Sequence, residues 1–179
     1  MHNINWKQLN DRLPSEKTEE AKHKRDLLWK GFDVNGNGIV SLAEVDKGLR
    51  DVLNCVQVFD CKPVIIQAFN AAKNAVKSSK AHSGDYVDRA EFRLLLAYLK
   101  QYFAYYQIFC EIDTGNDRRI NRSEFSKAKH AFEQWVGPIE DVNKVFDEID
   151  ANGGGEILFG EFVAWATKKN LDTEDYSQI

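Results

Sequence analysis

Hydrophobic residues recur at helical spacing along the chain, and polar, glycine-rich segments of twelve residues interrupt them. The clearest such segment is DVNGNGIVSLAE, residues 33–44. The apolar residues on either side of it are Leu28, Trp29 and Phe32 before it and Val45, Leu49 and Val52 after it. Each set falls on one helix face because a turn takes 3.6 residues. Connections in compact domains ordinarily run about four to six residues, so a polar segment of this length between two helices indicates a specialised loop.

The oxygen-bearing side chains of residues 33–44, which we call loop 1, follow a metal-binding pattern. Asp33, Asn35, Asn37, Ser41 and Glu44 stand at positions 1, 3, 5, 9 and 12, with Gly38 at position 6 and Ile39 at position 7. Position 6 needs a residue without Cβ, position 7 offers a backbone carbonyl, and the final glutamate binds through both oxygens. This is the EF-hand pattern for Ca²⁺. A solvated Asx-rich turn is disfavoured because seven positions agree.

The same pattern recurs near the end of the chain in DANGGGEILFGE, residues 150–161, which we call loop 4. Its predicted ligands are Asp150, Asn152, Glu156 through its backbone carbonyl, and Glu161. Gly155 is the turn glycine, and Ile157 is predicted to pair with a neighbouring loop. Positions 5 and 9 are Gly154 and Leu158, which carry no side-chain oxygen. Water has to replace these two ligands, so we predict a weaker calcium site.

A third copy, DTGNDRRINRSE at residues 113–124, departs further from the pattern, and we call it loop 3. Its predicted ligands are Asp113, Asp117, Arg119 through its backbone carbonyl, Asn121 and Glu124. Gly115 removes the ligand at position 3, and Arg118 stands where the turn glycine belongs. Arg118 therefore has to adopt an unusual backbone conformation, and Arg118 and Arg119 place positive charge beside the cation. Calcium binding and a folded but empty loop both remain open for loop 3.

The second copy is expanded and is predicted to bind no metal. Residues 70–91 between its apolar faces are ten residues too many for the pattern. Counting back from Glu91 places Lys80 and His82 at positions 1 and 3, and lysine has no lone pair to offer as an acceptor. Val87 can still pair with Val40 of loop 1. This hand therefore completes the fold rather than a site.

These segments predict an all-α protein with four EF-hands in two packed pairs and short β-bridges between the paired loops. We expect an N-terminal extension (1–14), a first pair (15–99), a second pair (100–169) and a C-terminal tail (170–179). The first helix is predicted to start at Ser15, followed by Thr18, Glu19 and Glu20. RAEFRLLLAYLKQYFAYYQIFCEI is predicted to form one helix joining the second and third hands, which favours two lobes packed together.

Composition excludes several other classes of protein. The net charge of −4 gives no electrostatic reason to expect a nucleic-acid partner. The sparse cysteines Cys55, Cys61 and Cys110 indicate a reducing compartment, and we expect a cytoplasmic protein without a signal peptide or membrane span. No nucleophile motif or phosphate-binding loop appears in the sequence, so we do not expect an enzyme.

Two segments, AEFRLLLAYLKQYFAYYQIFCEID and GEILFGEFVAWATKKNLD, resemble the flagellar calcium-binding proteins (calflagins) of trypanosomatids. The resemblance covers roughly residues 14 to 172 and includes the overlong second hand. It implies a calcium sensor at a flagellar or ciliary membrane that relies mainly on the third and fourth hands. Family members are anchored by an acylated N-terminal glycine and nearby lysines. His2 stands at that position here, so we expect no acyl anchor in this chain.

Two basic stretches offer a weak contact with anionic membrane, at about 1 kcal/mol per residue near the surface. They are Lys22 to Arg25, and Lys73, Lys77 and Lys80. Neighbouring glutamates favour a solvated helix face for the first stretch.

The sequence leaves the type of calcium protein open. Calmodulin-like grooves are rich in methionine, whereas this chain has one. The joining helix carries stiff aromatic residues instead, Tyr98, Tyr102, Phe103, Tyr105 and Tyr106, and we expect them to fill the core rather than to form a docking face. A narrow sensor with a specific protein partner is favoured over a sarcoplasmic-type calcium buffer. A luciferin-binding photoprotein is the least favoured alternative.

Overall fold

A computed structural model describes residues 11–51, 61–75 and 85–169, and within them the chain forms eight helices and four short strands. The chain divides into two compact units, residues 1–103 and 104–179. The extra residues of the second hand that include Lys80 and His82, together with both ends of the chain, lie outside the described residues. None of the helices formed by the described residues is long and apolar enough to cross a membrane.

The first unit contains the first two hands. Its elements are α1 (Glu19–Phe32), β1 (Ile39–Ser41), α2 (Leu42–Asp51), α3 (Lys62–Ala75), β2 (Tyr86–Asp88) and the first part of α4 (Arg89–Ile112). Helix α1 begins after Thr18, whose Oγ1 accepts the N–H of Ala21 at 3.2 Å, rather than at Ser15 as predicted. Thr18 is the N-cap, because its hydroxyl accepts an N–H of the first turn that has no partner within the helix. The single joining helix α4 is confirmed.

Aromatic packing closes the core of the first unit. The ring of Phe92 on α4 meets the rings of Trp29 and Phe32 on α1 edge-on, with centroid distances of 5.0 and 5.3 Å. Gly48 on α2 lies directly over the Phe32 ring, since a Cβ at Gly48 would come within 2.7 Å of it. Helices α1 and α2 of the first hand therefore pack at a separation that only glycine permits.

The second unit contains the third and fourth hands. After the end of α4 it comprises β3 (Arg119–Asn121), α5 (Arg122–Lys127), α6 (Lys129–Val136), α7 (Val142–Ile149), β4 (Glu156–Leu158) and α8 (Phe159–Lys168). The helix that leaves the third hand is divided at Ala128 into α5 and α6. Phe132 on α6 stacks on Trp165 of α8 at 5.7 Å and meets Phe125 at 5.1 Å, so an aromatic core holds the two hands together.

Each unit has one antiparallel bridge between its two loops. Val40 pairs with Val87 in the first unit, and Ile120 pairs with Ile157 in the second. All four side chains are fully buried. The predicted β-bridges are therefore confirmed, including the bridge to the expanded second hand.

Candidate metal centres

Loop 1 is folded by hydrogen bonds from its own backbone to the side chains predicted as ligands. The buried carboxylate of Asp33 accepts the N–H groups of Asn37 and Gly38, each at 3.0 Å. The Oδ1 of Asn35 accepts the N–H of Asn37 at 2.9 Å, and the Oδ1 of Asn37 accepts the N–H of Ile39 at 3.0 Å. Gly38 has a φ of +81°, which confirms the need for glycine at position 6. Positions 1, 3 and 5 are thereby gathered in one tight turn.

Glu44 reaches across loop 1 to positions 3 and 9. Its Oε1 accepts the side-chain N–H of Asn35 at 2.7 Å, and its Oε2 accepts both the N–H and the hydroxyl of Ser41 at 2.9 Å. The closing glutamate thus contacts two of the other predicted ligands. To offer oxygen to a cation, the Asn35 amide has to turn over, because its nitrogen now faces Glu44. The structure therefore brings together the loop 1 side chains that the sequence predicts as ligands.

Loop 4 repeats this geometry with fewer side-chain oxygens. The buried Asp150 accepts the N–H groups of Gly154 and Gly155 at 3.0 and 2.8 Å. The Oε1 of Glu161 accepts the backbone and side-chain N–H of Asn152 at 3.1 and 2.6 Å, and its Oε2 accepts the N–H of Leu158 at 2.9 Å. Leu158 at position 9 is exposed. Water has access to the side of loop 4 where the sequence lacks an oxygen ligand.

Loop 3 adopts the same turn although arginine replaces the glycine. Arg118 has a φ of +68°, as the sequence predicts, and its N–H donates to Asp113 Oδ2 at 2.9 Å. The buried Glu124 accepts the Gly115 N–H at 2.8 Å and the Thr114 hydroxyl at 3.1 Å through Oε1. Thr114 was not among the predicted site residues, because position 2 carries no ligand in the pattern. Its hydroxyl and the Gly115 N–H satisfy the glutamate within the loop.

The pKa values of the two buried carboxyl groups of loop 3 are shifted in opposite directions. Burial raises the pKa of Asp113, and the N–H groups of Arg118 and Asp117 offset this only in part. Burial also raises the pKa of Glu124, but hydrogen bonds from Asn121, Gly115 and Thr114 outweigh it and leave that pKa below its ordinary value. The charged form of Glu124 is therefore favoured more than that of a free glutamate, and the charged form of Asp113 less than that of a free aspartate.

An ion pair joins the paired loops of the second unit. The Arg119 Nη1 lies 2.7 Å from Glu156 Oε2, so the two residues at position 7 of loops 3 and 4 are linked across the β-bridge. The sequence predicted that Arg119 adds positive charge beside a cation in loop 3. The structure modifies this expectation, because the Glu156 carboxylate offsets that charge.

The closing glutamate of the second hand makes the same capping contact as the closing glutamates of the other hands. Glu91 is 1% exposed, and its Oε2 accepts the Asp88 N–H at 3.1 Å while Asp88 Oδ1 accepts the Glu91 N–H at 2.9 Å. These reciprocal bonds cap the start of α4. Position 12 of the second hand therefore still caps the following helix, although the rest of its loop departs from the pattern.

The donor set fits Ca²⁺. Among the residues that the structure describes, no three His, Cys, Asp or Glu side chains are grouped so that they can hold a metal by themselves. Amide, hydroxyl and backbone carbonyl oxygens therefore have to complete each site. Ca²⁺ accepts six to eight such oxygens, whereas transition metals in proteins prefer imidazole and thiolate ligands.

Two helix–loop–helix hands whose loops are joined by an antiparallel bridge define an EF-hand pair, and each unit contains one such pair. Comparison with protein families agrees with this class. The model of the FCaBP EF-hand domain matches residues 9–99, and the model of the EF-hand domain pair matches residues 103–167.

Known relatives identify the family within this class. The flagellar calcium-binding protein of Trypanosoma cruzi is 34% identical over 172 residues, covering 94% of this chain and 81% of that protein. Flagellar calcium-binding protein TB-24 of Trypanosoma brucei brucei is 34% identical over 170 residues, covering 94% of this chain and 78% of its own length. The calcium-binding protein LPS1-beta of Lytechinus pictus is 25% identical over 163 residues, covering 88% of this chain and 61% of that protein. The chain belongs to the flagellar calcium-binding protein family and is a calcium-binding EF-hand protein.

Proposed function

We propose that this protein is a calcium sensor that binds Ca²⁺ most strongly in loop 1 and more weakly in loop 4. The observation that carries this proposal is the contact of Glu44 with Asn35 and Ser41 across a loop whose first carboxylate, Asp33, is already positioned. When Ca²⁺ binds, the ion replaces these hydrogen-bond donors as the partner of the Glu44 carboxylate.

The order of affinities follows from the oxygens available. Asp33, Asn35, Asn37, Ser41 and Glu44, with the Ile39 carbonyl, supply the ligands of loop 1. Loop 4 has Asp150, Asn152, Glu161 and the Glu156 carbonyl and needs more water. Loop 3 is proposed as the weakest site, with Asp113, Asp117, Asn121, Glu124 and the Arg119 carbonyl as its ligands. Its position 3 is Gly115, which has no side-chain oxygen, and Arg118 places positive charge beside the cation.

The tight contact between the two helices of the first hand supports a sensor rather than a buffer. Glu44 lies in the first turn of α2, so a change of its partners moves the start of that helix. Helix α2 contacts the Phe32 ring of α1 through Gly48, and this tight contact transmits the movement to the aromatic core. Sensor EF-hands respond to calcium by changing the angle between their two helices.

Calcium titration by calorimetry in millimolar magnesium tests the sites. We expect at least two sites of micromolar strength. Glu44→Gln should remove the stronger site and Glu161→Gln the weaker one, because each loses the charge at position 12. Glu140→Gln is the matched control, since it removes an exposed carboxylate outside the loops and should leave both sites intact. Absence of calcium heat in the unmodified protein would overturn the proposal.

A second measurement separates a sensor from a buffer. A dye that fluoresces on apolar surfaces should brighten when calcium is added, and Glu44→Gln should lose most of that response. A buffer would bind calcium without exposing apolar surface and would accept magnesium at the same sites. If magnesium competes strongly and the dye signal does not change, the protein is a buffer and not a sensor.

We also propose that the protein has no catalytic activity and does not hold a luciferin. Its second unit packs aromatic rings directly on one another, as when Trp135 stacks on Phe162 at 5.7 Å. Purified protein should accordingly show no absorption beyond its own aromatic residues. A visible chromophore would contradict this and favour the photoprotein.

The names of the relatives support association with a flagellum or cilium. There, a specific protein partner would bind the calcium-dependent conformation. Imaging of the tagged chain in a flagellated cell tests this location. Uniform fluorescence throughout the cell body would remove the flagellar part of the proposal without affecting the calcium sites.

A further inference from the structure

A cationic groove lies in the first unit, between α1 and the first turns of α4, where the expanded second hand ends. Its volume is about 300 Å³. The groove is formed by Lys22, Arg25, Arg89 and Arg93 above the rings of Trp29 and Phe92. Both rings are buried and meet edge-on, so the floor of the groove is rigid and apolar. The calcium sites do not use any of these residues.

The charge of the groove is opposite to that of the whole chain. Four cationic side chains face Asp26, the one carboxylate among its described lining residues. Asp26 pairs with Arg89 at 2.6 Å, and Glu19, outside the lining, pairs with Lys22 at 3.4 Å, so two of the four cations already have a partner. The protein as a whole carries a net charge of −4. Positive charge gathered in a concavity with a low-dielectric floor attracts anions more strongly than the same charge spread over a convex surface.

Two of the guanidinium groups are held in place by backbone carbonyls. Arg25 Nη1 donates to the backbone carbonyls of Pro14 and Glu16 at 3.1 and 2.6 Å, and Arg93 Nη1 donates to the carbonyl of Ser15 at 3.4 Å. Carbonyl oxygens orient a guanidinium group but leave its positive charge intact. Both arginines are half-buried, so their forks are ordered before any ligand arrives.

We propose that the cationic groove binds a phosphate-bearing anion, either a soluble phosphate ester or a phosphorylated lipid headgroup. Arginine forks match the geometry of phosphate oxygens, and a doubly charged group satisfies several cations at once. The volume is at the lower end of the range for small-molecule sites, roughly 300 to 1,000 Å³. It suits one phosphorylated headgroup and is too small to enclose a polymer. The proposal does not depend on calcium binding.

Binding of inositol trisphosphate to the full-length protein, measured by calorimetry, tests the groove. The buffer is freed of divalent cations by resin, because a soluble chelator is itself a polyanion. We expect saturable binding that Lys22→Gln and Arg89→Gln each weaken by about five- to tenfold, since each removes one charge-assisted contact. Both residues are exposed, so these changes should not disturb folding. Arg25 and Arg93 are left unchanged because they also hold the segment before α1.

Two further variants distinguish specific binding in the groove from general electrostatic attraction of the anion to the protein surface. Lys24→Gln removes a positive charge from the same helix outside the groove, where Lys24 pairs with Glu20 at 2.6 Å, and should change the affinity by less than about twofold. Asp26→Asn removes the opposing carboxylate and should strengthen binding by about three- to tenfold. Loss of an ordinary structural contact would not produce such a gain.

Vesicles identify the source of the phosphate. Phosphatidylcholine vesicles with and without phosphatidylinositol bisphosphate are compared in sedimentation. Binding that requires the phosphorylated lipid and is weakened by Arg89→Gln assigns a membrane ligand, whereas binding of the soluble compound alone assigns a free phosphate ester. Absence of binding in both arms, or equal weakening by Lys24→Gln and Lys22→Gln, would overturn the proposal.

Discussion

Arg118 strains the backbone of loop 3 and adds a positive charge to it. Its φ of +68° lies in the left-handed region, which costs a side-chain-bearing residue about 1 kcal/mol or more. The backbone accepts this strain because the Arg118 N–H still reaches the Asp113 carboxylate. Loop 3 therefore keeps the EF-hand turn without the glycine that ordinarily makes it.

Arg118→Gly should strengthen calcium binding in loop 3, because it removes a positive charge beside Asp113. It should also raise thermal stability slightly, by less than about 1 kcal/mol, since relief of strain is partly offset by glycine's greater freedom in the unfolded chain. Arg118→Ala is the control, because it removes the charge and keeps the strain. Calorimetry and thermal unfolding in calcium-free buffer measure the two effects. A lower melting temperature for Arg118→Gly than for Arg118→Ala would contradict the account of strain.

Close helix packing decides how the first hand is held. A Cβ at Gly48 would come within 2.7 to 2.8 Å of three atoms of the Phe32 ring. Alanine otherwise favours helices over glycine by about 1 kcal/mol, so packing and propensity oppose each other here. Gly48→Ala should destabilise the protein by about 1–3 kcal/mol through overpacking, as measured by urea unfolding. Lys47→Ala, on an exposed position of the same helix, is the control and should be close to neutral. Unchanged stability of Gly48→Ala would show that α1 and α2 can separate freely.

The segment before α1 is tied to α4 by an ion pair between Glu16 and Lys100 at 2.8 Å. The Lys100 ammonium holds the pKa of Glu16 below its ordinary value of 4.5. A lowered carboxyl pKa means that this contact stabilises the fold above the pKa of the unfolded chain, and the contribution is lost as pH falls through the folded pKa. We expect NMR titration to place the Glu16 midpoint below 4.5 and to return it toward that value in Lys100→Gln. Lys24→Gln should leave the midpoint unchanged, and a midpoint insensitive to Lys100 would refute the pairing.

At the scale of the whole molecule, each unit carries one well-formed loop and one tryptophan close to it. Trp29 lies one turn before loop 1, and Trp165 follows loop 4 on α8, where its Nε1–H donates to Glu148 at 3.5 Å. The two tryptophans therefore report on different sites within the same chain.

Glu44→Gln should abolish the calcium response of Trp29 and preserve that of Trp165, and Glu161→Gln should do the reverse. Fluorine NMR of protein labelled with fluorotryptophan measures both responses at once, after assignment by Trp→Phe variants. Loss of both responses in either variant would show that the two loops bind calcium as one cooperative system.

The local pattern of the chain was sufficient to predict the hands and the bridges between their loops. Loop positions, turn glycines and the apolar faces beside them are spaced by the geometry of a single helix–loop–helix, so they can be read over about thirty residues. The pair Val40–Val87 and the bridging position of Ile157 followed from the same count, as did the unusual backbone of Arg118. The start of α1 was misplaced at Ser15, because Thr18 is an equally good cap by sequence and only the hydrogen bond distinguishes them.

The sequence by itself thus determined the fold class, the order of the loops and the identity of the ion. Only the tertiary structure decided which distant residues meet. The Thr114 hydroxyl on Glu124, Gly48 on the Phe32 ring and Arg89 beside Asp26 are contacts between residues ten to more than sixty positions apart. Such contacts have no periodic signature, because packing in three dimensions selects them rather than helical spacing. For the same reason the sequence marked the basic stretch Lys22 to Arg25 but did not show that it meets Arg89 and Arg93 in the cationic groove.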